Sequence, residues 1–267
     1  MGILNVTPDS FSDGGRFNRL DDALRRAETL VEQGADMLDI GGESTRPGAQ
    51  PVTEQEEIAR VVPVIEAIAA RSEVPISIDT SKPGVMRAAV AAGACLINDV
   101  NALRGEGALD AAAGAGVPVC LMHMQGRPRP MQQDPSYVDV VSEVRDFLLA
   151  RAQACMAAGI GRDDIWIDPG FGFGKTLQHN LDLLRQLPTL VETGFPVLIG
   201  ISRKSMLGAL TGRDVDRRLA GSLAAALLAL QRGALILRVH DVPETLDVLK
   251  IWLAAGRAAD VAKGKEL

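Results

Sequence analysis

The sequence has few of the residues that build metal centres or disulfide frameworks. Its 267 residues include 3 cysteines and 3 histidines, and neither type shows metal-ligand spacing. The cysteines Cys95, Cys120 and Cys155 lie far apart in apolar surroundings, so we expect small buried side chains in a reducing compartment. No secretory segment opens the chain, and no apolar run approaches the length of a bilayer span, which predicts a soluble cytoplasmic protein.

Aromatic residues and an excess of positive charge are also missing. Aromatics make up 3% of the chain, whereas hydrophobic residues as a whole make up 47%, so the core is built from Ala, Leu, Val and Ile. Such a core suits helices packed on parallel strands. The net charge of −6 offers no electrostatic footprint for nucleic acid. Basic residues that matter to function are therefore expected to be local anion binders.

Strands and helices alternate along the whole chain when the spacing of apolar residues is followed. Short apolar runs predict eight strands, at residues 2–6, 36–40, 75–78, 94–97, 117–122, 164–167, 196–199 and 234–239. Helical spacing predicts helices such as 20–33, 54–70, 83–92, 138–158 and 219–232, several of them ending at a glycine. Because open doubly wound sheets usually have about five or six strands, this pattern favours a closed parallel (βα)₈ TIM barrel, a single α/β domain over residues 1–267.

The carboxyl ends of barrel strands form one face, and in barrel enzymes that face holds the active site. Every predicted strand brings at least one polar residue, at or just after its carboxyl end, to this face. One cluster combines carboxylates, an amide and an ammonium, which suit the edges of a planar nitrogen heterocycle: Asp79, Asn98, Asp168 and Lys204. A second cluster suits a phosphate or diphosphate, alone or with Mg²⁺: Asn5, Ser44, Thr45, Arg46, Arg238 and His240.

Some polar residues at this face have a structural explanation beside the chemical one. Asp99 and Asp241 either serve the site or only cap a turn or pair with an arginine. Arg203 is a candidate for a surface ion pair, whereas Lys204, one place further, is expected to point inward. A hydrogen-bonded structural role explains His123 at least as well as a catalytic one.

A glycine-rich run, DPGFGFGK at residues 168–175, invites comparison with two nucleotide-binding motifs. A P-loop needs glycine where Pro169 stands, and a dinucleotide fingerprint needs glycine where Leu177 stands. Both motifs are excluded. We interpret the run as a loop whose backbone approaches a flat ligand, with Phe171 or Phe173 either covering that ligand or packing the loop.

Six segments together resemble the dihydropteroate synthases, folate-pathway enzymes with a pterin-binding (βα)₈ barrel. They are MGILNVTPDSFSDGG at residues 1–15, GGESTRPG at 41–48, DTSK at 79–82, DPGFGFGK at 168–175, SRKS at 202–205 and RVHD at 238–241. The segments follow the order found in that family and extend over nearly the whole chain, which makes the resemblance specific.

The resemblance implies condensation of 6-hydroxymethyl-7,8-dihydropterin pyrophosphate with para-aminobenzoate, giving 7,8-dihydropteroate and pyrophosphate, with Mg²⁺ as cofactor. It implies catalytic roles for Asp79, Asp168, Lys204, Arg238 and His240. The implied pterin contacts are Asp79, Asn98, Met122, Asp168, Phe173, Gly200 and Lys204. The implied pyrophosphate ligands are Asn5, Arg46, Arg238 and His240, with Asn5 on the metal. The implied para-aminobenzoate contacts are Phe11, Thr45, Pro47, Phe173, Ser202 and Lys204.

The resemblance also implies a homodimer, sensitivity to sulfonamides, and a lid formed by the first loop with Phe11 and Asp13 as contacts. Relatives carry a short β-hairpin before the first strand, and we expect this chain to lack it. Two alternatives stay open: a non-catalytic pterin-binding paralogue, and a methyltetrahydrofolate:corrinoid methyltransferase domain. The complete set of polar site residues disfavours the first, and the SRKS segment with the long first loop disfavours the second.

Overall fold

The computed structural model describes residues 1–7, 16–44, 51–126 and 135–262, without the side chains of 16–19 and 257–262. The strands in these ranges are β1 (Gly2–Asn5), β2 (Leu38–Gly41), β3 (Ile76–Asp79), β4 (Leu96–Asp99), β5 (Val119–Met122), β6 (Ile165–Asp168), β7 (Leu198–Ile199) and β8 (Ile236–Leu237). The helices are α1 (Arg16–Glu32), α2 (Glu54–Ala69), α3 (Pro83–Ala91), α4 (Ala108–Ala115), α5 (Val140–Ala157), α6 (Leu177–Arg185), α7 (Pro188–Val191), α8 (Ser205–Thr211), α9 (Leu219–Gln231) and α10 (Val242–Ala262).

The strands close into a ring. Strands β1 to β6 form one parallel sheet in chain order, and β7 pairs in parallel with β8. Isolated parallel bridges join the two sheets at both edges, Ile167 to Val197 and Gly2 to Val239. The Ile3 N–H also donates to the Val239 carbonyl at 3.0 Å. The predicted α/β barrel is therefore confirmed.

Local sequence explains most element ends. Thr53 caps α2 in a capping box with Glu56, because both side chains satisfy backbone N–H groups that the first turn leaves without partners. Gly34 follows α1 with φ +91°, a left-handed conformation that glycine adopts without a steric cost. Strands β7 and β8 are shorter than predicted, two residues each, because single bridges replace a continuous ladder beside them.

The strand register brings the predicted rim residues side by side. Asn5 lies beside Gly41, Gly41 beside Asp79, and Asp79 beside Asn98 in consecutive strands. The main apolar core contains residues of both the strands and the surrounding helices, as expected for parallel strands that are covered by helices. Within the described ranges, no helix combines the length and the apolar character needed to span a bilayer.

Candidate active site

A half-buried guanidinium bridges two carboxylates at the barrel mouth. Arg238 follows β8, and its Nε donates to Asp39 Oδ2 at 2.5 Å while its Nη2 donates to Asp79 Oδ2 at 2.8 Å. Asn98 Nδ2 donates to the same Asp39 oxygen at 3.2 Å. The Asp39 side chain has no exposed surface, and that of Arg238 is 20% exposed. These four residues thus form one connected polar centre from strands β2, β3, β4 and β8.

Burial and neighbouring charge set the protonation of this centre. Burial raises the pKa of Asp79 to about 7, Arg238 opposes that shift, and the neighbouring Asp39 charge adds to it. For Arg238, burial disfavours the charged form, but the carboxylates of Asp39 and Asp79 outweigh it and raise the pKa. Arg238 therefore stays charged, and Asp79 can change protonation near neutral pH.

Asp168 ends β6 and marks the opposite side of the mouth. Its Oδ1 accepts the Gly170 N–H at 2.7 Å, which fixes the turn that follows the strand. Gly170 has φ +68°, and a Cβ there would stand 2.0 Å from the His123 carbonyl oxygen. Burial raises the pKa of Asp168, while the Lys204 ammonium opposes the shift. The turn therefore requires glycine and presents a carboxylate beside an ammonium.

Lys204 reaches from the start of α8 across the site to the glycine-rich loop. Its Nζ donates to the Phe171 carbonyl oxygen and lies 4.5 Å from the centre of the Phe173 ring. Burial lowers the pKa of Lys204 to about 8, and the Asp168 charge opposes that shift. The ammonium thus lies between a carboxylate and an aromatic face, as expected of an inward-pointing Lys204.

An apolar wall lies next to these charges. Val100, Met122 and Met124 form a small buried cluster outside the main core, and Phe173 packs against it. Phe171, in contrast, is fully buried and packs in the main core. Phe171 therefore packs the loop, whereas Phe173 lies beside the small apolar cluster and Lys204.

His240 and Ser202 complete the mouth near β7 and β8. Ser202 Oγ and His240 Nδ1 are 3.0 Å apart, and the His240 N–H donates to Ser202 Oγ at 3.2 Å. Gly200, which follows β7, has Arg238 as its neighbour: a Cβ on Gly200 would be 3.9 Å from Arg238 Cβ. A hydroxyl, an imidazole and a guanidinium therefore lie on adjacent strands, which suits an anionic group.

Several rim residues have structural roles. Arg203, with φ +59°, pairs with Asp241 through Nε and Nη2. Asp99 accepts the Ser81 hydroxyl and the N–H groups of Asn101 and Leu103, and so fixes the turn after β4. The structural explanations for Arg203, Asp99 and Asp241 are the ones the contacts support.

His123 is also structural. It is 6% exposed, and its Nδ1 lies 2.9 Å from Lys175 Nζ. Its ring packs edge-on against Phe147, with 4.9 Å between ring centres. Burial and the nearby Lys175 charge lower the pKa of His123 to about 3, so this imidazole is neutral at physiological pH.

Asp39 is not among the predicted site residues, and Arg238 is predicted as part of a separate anion cluster. The structure joins the two clusters, since Arg238 contacts Asp79 directly. A signal for Asp39 was present, because an aspartate inside the buried strand Leu38–Gly41 must have a partner. Five predicted contacts lie outside the described residues: Phe11, Asp13, Thr45, Arg46 and Pro47.

The described part of this site offers a hard cation few protein ligands. The described residues contain no group of three or more His, Cys, Asp and Glu side chains able to hold a metal by themselves. Asn5 ends β1, and its Oδ1 would lie 3.8 Å from a Cβ placed on Gly41. Mg²⁺ is commonly held by one or two protein oxygens together with substrate phosphates and water. One carboxamide oxygen beside an anion site is compatible with that pattern.

Comparisons with known proteins agree with this geometry. A family model described as pterin binding enzyme matches residues 1–240. The dihydropteroate synthase of Haemophilus influenzae is 54% identical over 258 residues, 97% of this chain and 94% of the relative. A Yersinia pestis dihydropteroate synthase structure with a sulfonamide drug complex has a TM-score of 0.91 at 52% identity, covering 97% of this chain and 93% of that one. A Xanthomonas albilineans dihydropteroate synthase structure in complex with 7,8-dihydropteroate has a TM-score of 0.88 at 55% identity, with 96% and 92% covered.

Proposed function

The chain belongs to the pterin-binding enzyme family, and we propose that its barrel mouth carries out the dihydropteroate synthase reaction. The chain condenses 6-hydroxymethyl-7,8-dihydropterin pyrophosphate with para-aminobenzoate and releases 7,8-dihydropteroate and pyrophosphate. The observation that carries the proposal is the connected polar centre of Asp39, Asp79, Asn98 and Arg238 beside Asp168 and Lys204.

The pterin lies between Asp168 on one side and Asp79 with Asn98 on the other. An ionised carboxylate has about four acceptor positions, and the Gly170 N–H uses one of them on Asp168. The remaining positions suit the amide and amino N–H groups of a pterin ring. Met122 and Phe173 lie against the ring faces, since they belong to the apolar cluster next to these groups.

The pyrophosphate lies at the basic side of the mouth. Arg238 and His240 bind it together with Arg46, and Asn5 binds Mg²⁺, the proposed cofactor. When bound, Mg²⁺ neutralises charge that grows on the leaving pyrophosphate. Arg238 has a further role, because its contacts to Asp39 and Asp79 hold the guanidinium between the pterin and the pyrophosphate.

Charge separation governs the reaction. As the bond from the pterin methylene to pyrophosphate breaks, positive charge spreads from the methylene into the ring, and the carboxylate form of Asp79 stabilises it. Arg238 and His240 stabilise the negative charge on the departing group. The amino nitrogen of para-aminobenzoate forms the new bond to the methylene carbon and then gives up one proton to the departing pyrophosphate or to water. Once bonded, this nitrogen is a strong acid and needs no dedicated catalytic base, so the alignment of the amine matters most.

The proposed para-aminobenzoate site combines residues at the barrel mouth with residues that lie outside the described ranges. Lys204 lies against the Phe173 ring, and Ser202 lies beside His240. We assign these Ser202, Lys204 and Phe173 side chains, with Phe11, Thr45 and Pro47, to one subsite. Lys204 donates to the Phe171 carbonyl and is near Asp168, and we assign it contacts with both the pterin and the para-aminobenzoate. A sulfonamide competes with para-aminobenzoate for this subsite.

We also propose a homodimer that resides in the cytoplasm. Exposed apolar side chains of α9 and α10 support the dimer, with Leu228 39%, Ile251 71% and Leu253 45% exposed. The thiols of the three cysteines are free, which suits a reducing compartment, but only Cys120 and Cys155 are buried as expected. The expected burial of Cys95 is wrong, because its side chain is exposed. Helix α10 packs on α9, so we include residues beyond 240 in one domain with the barrel. Light scattering of the purified protein measures the mass of the assembly.

Arg238→Lys tests the proposed reaction. Lysine keeps a positive charge near Asp39 and Asp79 but has no fork to contact both carboxylates. We expect the rate of 7,8-dihydropteroate formation to fall about 100-fold, measured by chromatography of the product. The control is Arg185→Lys, a surface arginine that is 60% exposed and should leave the rate unchanged. Unaltered turnover in the Arg238 variant would contradict the role assigned to this residue.

A further inference from the structure

A buried lysine that the proposed reaction does not use lies behind the apolar wall. Lys175 is 3% exposed. Its Nζ lies 3.0 Å from the Gly170 carbonyl oxygen, 3.0 Å from that of Phe173 and 3.3 Å from that of His123. The same nitrogen is 2.9 Å from His123 Nδ1. An ammonium has three N–H donors and no acceptor, so these four acceptors use all of its hydrogen-bonding capacity.

The four acceptors belong to two segments that meet at the site. His123 follows β5, whereas Gly170 and Phe173 belong to the loop after β6. The two segments are also packed closely, because a Cβ on Gly170 would stand 2.0 Å from the His123 carbonyl oxygen. Lys175 Nζ therefore fastens the glycine-rich loop to the end of the neighbouring strand.

The same two segments supply the apolar wall. Met122 and Met124 lie on either side of His123 in the sequence, and Phe173 packs against their cluster. Lys175 thus contacts the backbone of Phe173 and of the residue between the two methionines. On the other face of the loop, the Phe173 ring lies 4.5 Å from Lys204 Nζ. The position of Phe173 relative to Met122 and Lys204 depends on this attachment.

Burying the Lys175 amine is energetically costly, which indicates that the amine has a specific role. Burial lowers the pKa of Lys175 to about 7, and the Asp168 charge opposes the shift. Lysine is rarely buried, because removing an ammonium from water is costly unless its donors are satisfied. If the side chain at position 175 only filled space, an apolar side chain of similar length would be sufficient.

We propose that Lys175 is a positioning residue for pterin binding: its Nζ ties the Phe173 backbone to His123 and so holds together the two halves of the apolar wall. The inference rests on the proposed function, because it assumes that this wall contacts the pterin. Lys175 acts through Phe173 and Met122 and touches no reacting atom.

The test compares Lys175→Met with Tyr137→Phe. Methionine has nearly the length of lysine but leaves three carbonyls without their donor. The control removes the Tyr137 hydroxyl that donates to the Gly174 carbonyl at 2.7 Å, so it loosens the same loop without touching the carbonyls of Gly170 and Phe173. Both variants are assayed for KM of the pterin pyrophosphate and KM of para-aminobenzoate, with folding checked by circular dichroism.

We expect Lys175→Met to raise KM for the pterin substrate about tenfold, because the variant loses the buried hydrogen bonds that hold the wall. KM for para-aminobenzoate should change less than about twofold. Tyr137→Phe should change neither value by more than about twofold. The proposal would be overturned if Lys175→Met had the same KM for the pterin substrate as the wild type. It would also be overturned if Lys175→Met raised the KM of both substrates equally, or if Tyr137→Phe raised the pterin KM as much as Lys175→Met does.

Lys175→Gln provides a second variant if the methionine side chain prevents folding. Glutamine keeps an N–H₂ donor on a shorter, uncharged side chain, so a smaller rise limited to the pterin KM supports the proposal, and an unchanged pterin KM overturns it. The wild type separates this inference from the proposed function. A wild-type protein without pterin turnover contradicts the proposed function, whereas an active wild type with an equally active Lys175→Met contradicts only the role of Lys175.

Discussion

Replacing Asp39 by asparagine tests whether one buried carboxylate holds the centre of the site together. Asp39→Asn keeps the size of the side chain and one oxygen acceptor, but removes the charge that Arg238 Nε contacts at 2.5 Å. Removing one partner of a buried ion pair typically costs about 3–5 kcal/mol of stability. Because Asp79 still contacts Arg238, we expect a loss at the low end of this range. The free energy of unfolding, measured with urea, should fall by about 3 kcal/mol.

The same substitution changes the pKa of Asp79. In the wild type burial raises that pKa to about 7, while Arg238 lowers it and Asp39 raises it. Without the Asp39 charge, Asp79 loses a repulsive neighbour and keeps the attractive Arg238 guanidinium, so the pKa of Asp79 falls. The carboxylate of Asp79 is lost as pH falls through its pKa, so the variant keeps this charge to lower pH. The acid limb of the pH profile of kcat/KM should shift to lower pH. The shift is about one pH unit for each 1.36 kcal/mol by which the substitution favours the charged form of Asp79.

The assay is pyrophosphate release measured from acidic to alkaline pH, in parallel with urea unfolding. Asp247→Asn is the control, because Asp247 is 74% exposed and its contact with Lys250 is a surface pair. We expect that control to change stability by less than about 0.5 kcal/mol and to leave the pH profile unchanged. A folded Asp39→Asn protein whose acid limb coincides with that of the wild type would refute the coupling of Asp39, Arg238 and Asp79.

Three further outcomes are expected. Asp168→Asn replaces a carboxylate oxygen with an N–H₂ donor facing the pterin, and should lower kcat/KM about 100-fold without unfolding the barrel; near-normal turnover would contradict the role of Asp168. Gly170→Ala should destabilise the protein by at least about 1 kcal/mol more than Gly116→Ala in thermal unfolding. Both glycines have positive φ, but only at Gly170 would a Cβ meet a carbonyl oxygen, so equal losses would count against the contact. A sulfonamide should inhibit competitively with para-aminobenzoate, and full activity at high sulfonamide would count against the shared subsite.

Most of the fold could be predicted from the sequence because its signals are local. Apolar runs gave the eight strands, and glycines such as Gly34 and Gly159, with φ +91° and +96°, lie where the helix ends were predicted. Polar residues at the predicted strand ends supplied the two rim clusters, and the resemblance to the dihydropteroate synthases, a family that the comparisons show this chain to belong to, gave each cluster a ligand. Which residues of those clusters touch was not predictable, because Arg238 meets Asp79 only after the barrel closes between Gly2 and Val239.

The partners of buried charges were the part that local signals did not reveal. Asp39 lies inside a short buried strand, and its partner Arg238 is 199 residues away in the sequence. Lys175 ends a glycine-rich motif and would ordinarily be assigned to the surface, since lysines are mostly exposed. For Asp39 the partner comes from a distant segment, and for Lys175 the local carbonyls of Gly170 and Phe173 are joined by the distant His123, so only the assembled barrel explains why the charge is tolerated.

Pyrophosphate release is the most direct test of the central claim that this barrel mouth joins a dihydropterin pyrophosphate to para-aminobenzoate. The purified chain is supplied with the pterin substrate, and para-aminobenzoate and Mg²⁺ are omitted one at a time. We predict release of pyrophosphate only when both are present, with one 7,8-dihydropteroate formed for each pyrophosphate. Pterin binding without release in the complete mixture, or release that does not depend on para-aminobenzoate, would contradict the account.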